Sequence, residues 1–172
     1  ALKQGFITFA QGVKRIFYCK EDPGLAELKL SGVSYGQSEG AAIQLTSHRV
    51  TREGQQFSFT YQGKAYKDFF LPLFGAFQVL NALPCLALCL ELGGEVEPLR
   101  AALTQFSGMK KRLEYVGHRS GVSFYKDYAH HPTATKVTLK ALRQKYPKRR
   151  LVCLYQPHRF SRMSLFLQRA SS

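Results

Sequence analysis

The alternation of apolar and polar positions along the chain predicts an α/β protein. Five runs in the first half have the composition or period of β-strands. They cover residues 15–19, 33–36, 43–46, 57–61 and 66–73. Turns around Gly54 and Gly63 separate the last three runs, which predicts a β-meander. Its aromatic residues Phe57, Phe59 and Tyr61 fall at strand period, so we expect them in the core.

Helical patterns are predicted at four places. They cover residues 23–30, 73–92, 98–106 and 133–146. In the second, Pro84 removes a backbone hydrogen bond, and we expect it to kink the helix or to shift its start. Gln78 and Asn81 are three residues apart in the first turn, so both amides project from one face. Helix capping and ligand contact are both open for this pair.

The second half predicts a strand, a polar loop, a helix and another strand. A strand at residues 121–125, after one at 113–116, leads into the polar loop Lys126–Pro132, where proline opens the helix. A strand at 151–155 follows, and then the polar cluster 156–162. If the strands at 121–125 and 151–155 are parallel neighbours, both polar segments lie at the same sheet edge, where open α/β sheets bind ligands.

The polar segments carry a carboxylate, three histidines and two arginines. Asp127 can accept ribose hydroxyls or hold the tautomer of a histidine. Arg159 and Arg162 can form a fork for a carboxylate, and His158 can donate a hydrogen bond or relay a proton. Arg112 lies at the seam between the two halves. A salt bridge, a solvated turn and a phosphate contact are all open for its guanidinium.

Charge is distributed unevenly along the chain. Residues 1–106 carry ten Lys and Arg against nine Asp and Glu, whereas residues 107–172 carry fifteen against two. The second part is therefore suited to anions. A solvated basic face is the favoured interpretation of Lys145, Lys148, Arg149 and Arg150. A nucleic-acid surface is less favoured, because arginine stripes with interleaved aromatic residues are absent from the sequence.

The four cysteines, Cys19, Cys85, Cys89 and Cys153, lie among apolar neighbours without paired metal-ligand spacing. We expect buried free thiols in a reducing compartment. The sequence has no apolar run long enough to span a bilayer and no signal-peptide layout, so we expect a cytoplasmic protein without a membrane partner.

The two polar segments resemble motifs of the carboxyl-terminal domain of the Mur ligase family. They read Asp127-Tyr128-Ala129-His130-His131-Pro132-Thr133 and Gln156-Pro157-His158-Arg159-Phe160-Ser161-Arg162. Blocks at residues 21–23, 75–82 and 108–114 also resemble the family and occur in its order. The resemblance implies the end of a central ATPase domain over residues 1–107, with a mixed sheet, a β-meander and helices. A truncated Rossmann-like domain that binds an amino acid would follow over residues 108–172.

The resemblance implies ATP-dependent amide formation in peptidoglycan precursor synthesis, with UDP-N-acetylmuramate, L-alanine and ATP as small-molecule partners and no nucleic acid. It places Gln78 and Asn81 on the adenine, Arg112 on the nucleotide, and Asp127 with its loop around the ribose and base. The loop residues that it implicates are Tyr128, His130 and His131. It also implies that His158 is catalytic and that His158, Arg159 and Arg162 receive the amino acid.

Several positions depart from the family pattern. Phe77-Gln78 stands where the family has His-Asn, Lys126 replaces an aspartate and Lys111 an arginine. The resemblance implies that the family's UDP-binding domain, phosphate loop and Mg²⁺ carboxylates lie upstream of residue 1, with no metal ligands in this chain. We therefore expect an internal piece of a ligase that cannot catalyse ligation by itself.

Two other interpretations are open. A recycling ligase of the same family, which attaches a tripeptide to the same nucleotide sugar, shares the His-His-Pro-Thr motif at residues 130–133. The Pro-His-Arg-Phe-Ser-Arg run at residues 157–162 favours the alanine-adding branch, since an amino-acid carboxylate needs a close fork. The other interpretation is a binding module whose basic part serves nucleic acid, and it predicts affinity that falls steeply with salt.

Overall fold

The computed structural model describes residues 2–156, which fall into two compact units. Of the described residues, the first unit contains 2–72 and 76–106, and the second contains 73–75 and 107–156. The first unit is built on a five-stranded sheet, and the second on a two-stranded hairpin and a helix.

The first unit contains four helices and five strands in its described residues. The helices are α1 (Leu2–Gln11), α2 (Pro23–Ala26), α3 (Ala76–Glu91) and α4 (Val96–Thr104), and the strands are β1 (Phe17–Cys19), β2 (Val33–Gly36), β3 (Ile43–Val50), β4 (Gln55–Tyr61) and β5 (Lys64–Leu71). The strands lie in the order β1-β2-β3-β4-β5. The first three are parallel, and β3, β4 and β5 form the predicted antiparallel meander.

The core of this unit lies between the meander and α3. Phe57, Phe59 and Tyr61 retain only 1%, 0% and 3% of their exposure, so the prediction that these aromatic residues are core is confirmed. Phe69 packs its ring 5.4 Å from Phe59. The buried positions of α3 are Val79, Leu83, Leu86 and Ala87. Pro84 removes one backbone hydrogen bond from α3, but the helix continues through the proline. The burial of one apolar face offsets this loss.

Helix α1 was missing from the predicted elements. Its exposed residues include Phe6 and Phe9, and Gly5 lies within it. Because glycine lowers helix propensity and the apolar residues do not mark a buried face, the hydrophobic pattern of this segment did not indicate a helix.

The cysteines are more exposed than expected. Cys85, Cys89 and Cys153 are exposed and Cys19 is half-buried, and all four are free thiols. The prediction of buried thiols is therefore wrong for three of them. In α3 the reason is that the inward face is already occupied by Leu83, Leu86 and Ala87, which leaves Cys85 and Cys89 on the opposite face.

The second unit contains strands β6 (Glu114–Arg119) and β7 (Val122–Lys126) and helix α5 (Pro132–Lys145). The strands are antiparallel and pair Tyr115 with Tyr125. Ser120 and Gly121 in their connection have φ angles of 48° and 79°, as a type I′ hairpin turn requires. Helix α5 begins with Pro132 in its first turn, as the sequence predicted.

The predicted strand at residues 151–155 is wrong. Leu151–Gln156 has no strand structure, and Leu151, Val152, Cys153 and Leu154 make no backbone hydrogen bonds among the described residues. A strand needs a partner edge, and the pairing of β7 in this part of the chain is with β6, antiparallel. Val152 and Leu154 consequently remain 72% and 97% exposed.

Residues Leu73–Gly75 pack within the second unit, against the end of α5. Phe74 is buried, and the Gly75 N–H donates to the Gln144 side-chain oxygen at 3.1 Å. The Lys145 ammonium lies over the Phe74 ring at 5.2 Å and also near the rings of three tyrosines, which are Tyr115, Tyr125 and Tyr146. These cation–π contacts fix the C-terminal turn of α5.

Within residues 2–156, no helix combines the length and the apolar character that crossing a bilayer requires.

Candidate functional site

The loop between β7 and α5 is organised by the carboxylate of Asp127. One of its oxygens accepts the Ala129 N–H at 2.6 Å and the other accepts the Leu113 N–H at 2.7 Å. The Tyr128 N–H donates in turn to the Lys111 carbonyl at 2.8 Å. The hydrogen bonds of Asp127 with Leu113 and of Tyr128 with Lys111 therefore hold the loop to the segment that precedes β6.

The segment opposite this loop is held in an unusual backbone conformation. Lys111 and Leu113 have φ angles of 59° and 50°, in the left-handed region that side chains disfavour. The Glu114 carboxylate accepts the Lys111 N–H at 2.7 Å and so supports the turn. Arg112 lies between the two left-handed residues. It is exposed, and its guanidinium makes no hydrogen bond or ion pair with the residues that the structure describes.

The adjacent histidines of the loop have opposite hydrogen-bonding character. The Nδ1 of His130 lies 3.0 Å from the Tyr128 carbonyl, which can only accept, so this nitrogen carries the hydrogen. The Nδ1 of His131 accepts the Thr133 N–H at 3.4 Å and caps α5, so it is bare. In their neutral forms, the Nε2 of His130 is then an acceptor and the Nε2 of His131 a donor.

Among the described residues, Asp127 does not hold a histidine, which was one of the two roles open to it. The Nδ1 of His130 is held by the Tyr128 carbonyl, and the Asp127 oxygens are engaged by backbone N–H groups. Each carboxylate oxygen has two lone pairs, so hydroxyl donors can still bind to Asp127.

A small cavity lies behind the loop. It has a volume of about 130 Å³, and its lining includes Asp127, Ala129 and Tyr155 together with residues of α5. Ligand pockets usually have volumes of about 300–1,000 Å³, so this cavity suits a few water molecules and not a nucleotide. The nucleotide is therefore not assigned to this cavity.

The second polar segment begins beside the first. The Tyr155 hydroxyl donates to the His130 carbonyl at 3.1 Å, and Gln156 next to it is exposed. The contact with the first segment is made by Tyr155, immediately before the second polar segment, and no strand ladder brings the two together among the described residues. The expectation that the segments face each other stays a prediction. His158, Arg159 and Arg162, the predicted amino-acid-binding cluster, lie outside the described residues.

Gln78 and Asn81 lie in the first turns of α3, in the first unit. Gln78 is half-buried and Asn81 is exposed. In the described part of the chain neither side chain makes a hydrogen bond, so neither caps the helix. The capping interpretation is therefore wrong, and both amides retain their full hydrogen-bonding capacity.

Sequence reasoning missed the backbone groups that organise the loop. The Leu113 N–H and the Lys111 carbonyl carry no side-chain signature, and Tyr155 was counted among the apolar residues of a strand. No sequence pattern indicated the left-handed backbone of Lys111 and Leu113 before β6. The one available signal was Glu114, an acidic residue three positions after Lys111 in an otherwise basic stretch.

Comparison with known proteins identifies what the chain resembles. Residues 111–171 match the Mur ligase family, in the part described as the glutamate ligase domain. A UDP-N-acetylmuramate–L-alanine ligase from Desulfitobacterium hafniense is 36% identical over 159 residues, which are 91% of this chain and 35% of the relative. The bifunctional enzyme MurC/Ddl of Chlamydia caviae is 38% identical over 168 residues, 92% of this chain and 21% of that enzyme.

The fold is also found in a solved structure. The UDP-N-acetylmuramate-alanine ligase MurC from Thermotoga maritima superposes with a TM-score of 0.77 at 26% identity, over 91% of this chain and 36% of that one. The predicted fold class is thereby confirmed. The chain spans about a third of the length of this structure and of the Desulfitobacterium relative.

Proposed function

We propose, because the chain belongs to the Mur ligase family, that it forms part of an ATP-dependent ligase that joins L-alanine to UDP-N-acetylmuramate. The observation that carries the proposal is the Asp127 loop, whose fixed backbone lies beside the start of the second polar segment. Relatives that cover nine-tenths of the chain are named for this reaction.

The proposed reaction has two steps. The carboxylate of UDP-N-acetylmuramate attacks the terminal phosphorus of ATP, so that ADP leaves and an acyl phosphate forms. The neutral amine of L-alanine then attacks the acyl carbon, phosphate leaves with the C–O bonding electrons, and the nitrogen loses a proton. The amide product is a peptidoglycan precursor. We assign the reaction to the cytoplasm, where ATP is available.

Several residues are assigned to the nucleotide. The guanidinium of Arg112 makes no hydrogen bond or ion pair among the described residues and suits phosphate oxygens. Asp127 has lone pairs left for ribose hydroxyls, and we assign the loop residues Tyr128, His130 and His131 to the surroundings of the ribose and base. Gln78 and Asn81 have amides that can both donate and accept, as the edge of adenine requires.

The amino acid is assigned to the second polar segment. Arg159 and Arg162 would hold its carboxylate, because guanidinium groups bind planar oxyanions with two parallel hydrogen bonds. His158 would take up the proton that the amine loses. In this scheme residues 1–107 end the ATP-binding domain and residues 108–172 begin the domain that binds the amino acid.

Mg²⁺ normally assists the transfer of a phosphoryl group from ATP. Residues 2–156 contain no group of three or more His, Cys, Asp or Glu side chains that could hold a metal ion. The described residues therefore do not fit a metal site, and no step is assigned to the metal here.

The test is a ligation assay with the polypeptide that carries this chain. ADP should form only when ATP, UDP-N-acetylmuramate and L-alanine are all present, and mass spectrometry should show the alanyl product. A parallel reaction offers the tripeptide substrate of the recycling ligases in place of alanine. Turnover with the tripeptide alone would reassign the enzyme within its family, and turnover with neither acceptor would refute the proposal.

A further inference from the structure

Residues Leu151–Gln156 lie beside the Asp127 loop without the support of a sheet. Leu151, Val152, Cys153 and Leu154 make no backbone hydrogen bonds among the described residues, and Leu154 is almost fully exposed. Something other than a β-ladder must fix this segment in position. A side chain that bonds to a rigid neighbour can do so.

Tyr155 has such a side chain. Its hydroxyl donates to the His130 carbonyl at 3.1 Å, and its ring lines the cavity behind the loop together with Asp127 and Ala129. A phenylalanine would fill the same space without the hydrogen bond.

The two partners of this hydrogen bond are held unequally. The loop that contains His130 is fixed by both oxygens of Asp127, by the bond from the Tyr128 N–H to Lys111, and by His131 at the N-terminus of α5. Among residues 2–156, the segment before Tyr155 makes no comparable backbone hydrogen bonds. Loss of the Tyr155 hydroxyl should therefore release the segment and leave the loop in place.

We propose that Tyr155 is a positioning residue whose hydroxyl, bonded to the His130 carbonyl, fixes the start of the segment that carries the amino-acid-binding cluster. The proposal rests on the ligase function proposed above, in which His158 and Arg159 follow Tyr155 within four residues of sequence. In this proposal Tyr155 acts through the segment and contacts neither substrate. Its effect is on the affinity for the amino acid and not on the nucleotide.

The variant Tyr155→Phe in the full ligase polypeptide tests this proposal. The KM for L-alanine should rise about threefold to tenfold, the range that one neutral hydrogen bond supplies. The KM for ATP and kcat should stay within about twofold of the wild type. An unchanged KM for alanine, equal rises in both KM values, or a fall in kcat alone would each overturn the proposal.

Tyr115→Phe is the matched control. Tyr115 lies on β6 in the same unit and is exposed, and its hydroxyl makes no hydrogen bond among the described residues. Removing that hydroxyl should change none of the three kinetic constants. A rise in the KM for alanine in this variant as well would show that the effect in Tyr155→Phe is not specific.

The anchoring itself is measured without substrates. Trypsin cleavage after Arg149 and Arg150, followed by mass spectrometry, should be faster in Tyr155→Phe than in the wild type or Tyr115→Phe, because the following segment is released. Equal cleavage rates would refute the anchor even in an active ligase. Faster cleavage in a protein that does not ligate alanine would support the anchor and refute the proposed function instead.

Discussion

At the scale of single residues, Asp127 shows how a site residue can also be structural. Its two oxygens accept the N–H groups of Ala129 and Leu113, and these bonds hold the loop to the segment before β6. The proposed contact with ribose would use the lone pairs that remain. The same carboxylate would thus shape the loop and bind the ligand.

Replacing Asp127 by asparagine should separate these two tasks. The amide keeps one acceptor oxygen, but its NH₂ group meets the other backbone N–H, so one hydrogen bond is lost and two donors face each other. We expect a loss of about 1–3 kcal/mol in the free energy of unfolding, measured with urea. Glu114→Gln is the control, since Glu114 uses one oxygen for the Lys111 N–H and glutamine retains one.

The ribose contact is tested in the same variant with 2′-deoxy-ATP and 3′-deoxy-ATP. If Asp127 binds a ribose hydroxyl, the wild type should lose affinity for one analogue, and Asp127→Asn should show a smaller difference between that analogue and ATP. An equal difference in both proteins would mean that Asp127 only shapes the loop.

At the scale of elements, the segment before β1 is linked to the end of α3 by a polar cluster of Arg15, Tyr61 and Glu91. The Arg15 guanidinium donates to both carboxylate oxygens of Glu91, with a distance of 3.1 Å for its Nε, and the Tyr61 hydroxyl donates to the same carboxylate. These hydrogen bonds, chiefly the one from Arg15, lower the pKa of Glu91. The cluster joins residues that are far apart in the sequence.

The lowered pKa makes this link sensitive to acid. A carboxyl whose pKa is lower in the folded state stabilises the fold above its unfolded value, about pH 4.3, and loses that contribution as the pH falls through the folded value. At pH 7, Glu91→Gln should lower the melting temperature by about 1–4 °C, because exposed ion pairs contribute little. The difference between variant and wild type should shrink below pH 4, and a constant difference would contradict the assignment.

The elements also show how far the sequence predicts this structure. The bounds of β2 agree with the prediction, and the meander, the hairpin and α5 are found where the pattern placed them, because each is determined by local periodicity and turn residues. Residues 151–155 have an equally good strand pattern but pair with no strand in the part of the chain that the structure describes. Periodicity shows that a segment favours the strand conformation, but it does not show whether a neighbouring strand is available for pairing.

The candidate site was predictable in its side chains and not in its backbone. Asp127, His130 and His131 were identified from their position after a strand, which the structure retains. The N–H that binds Asp127 belongs to Leu113, the residue before β6. Leu113 has a left-handed backbone conformation, but it is not a glycine, so the sequence did not indicate this conformation. Such partners depend on tertiary structure, and single-sequence patterns do not contain them.

At the scale of the whole molecule, the basic charge of residues 107–172 has more than one use. Arg149 donates to the Gly121 carbonyl at 3.2 Å and lies over the Tyr146 ring, so this arginine stabilises the second unit. Lys148 and Arg150 are exposed and make no such bond among the described residues. They are the positions at which a nucleic-acid surface can be tested without disturbing the fold.

The double variant Lys148→Ala, Arg150→Ala should leave the kcat/KM for ligation within about twofold of the wild type, because the proposed substrates are held elsewhere. The Kd for an oligonucleotide at physiological salt should lie in the non-specific range of about 10⁻⁴–10⁻⁶ M, or above it, in both the wild type and the double variant. Lys64→Ala, Lys67→Ala in the first unit removes the same charge and serves as the control. Tight binding that falls steeply with salt and is lost only in the Lys148 and Arg150 variant would favour a nucleic-acid partner. If the wild type also failed to ligate alanine, the basic part would have to be assigned to that partner and not to a nucleotide substrate.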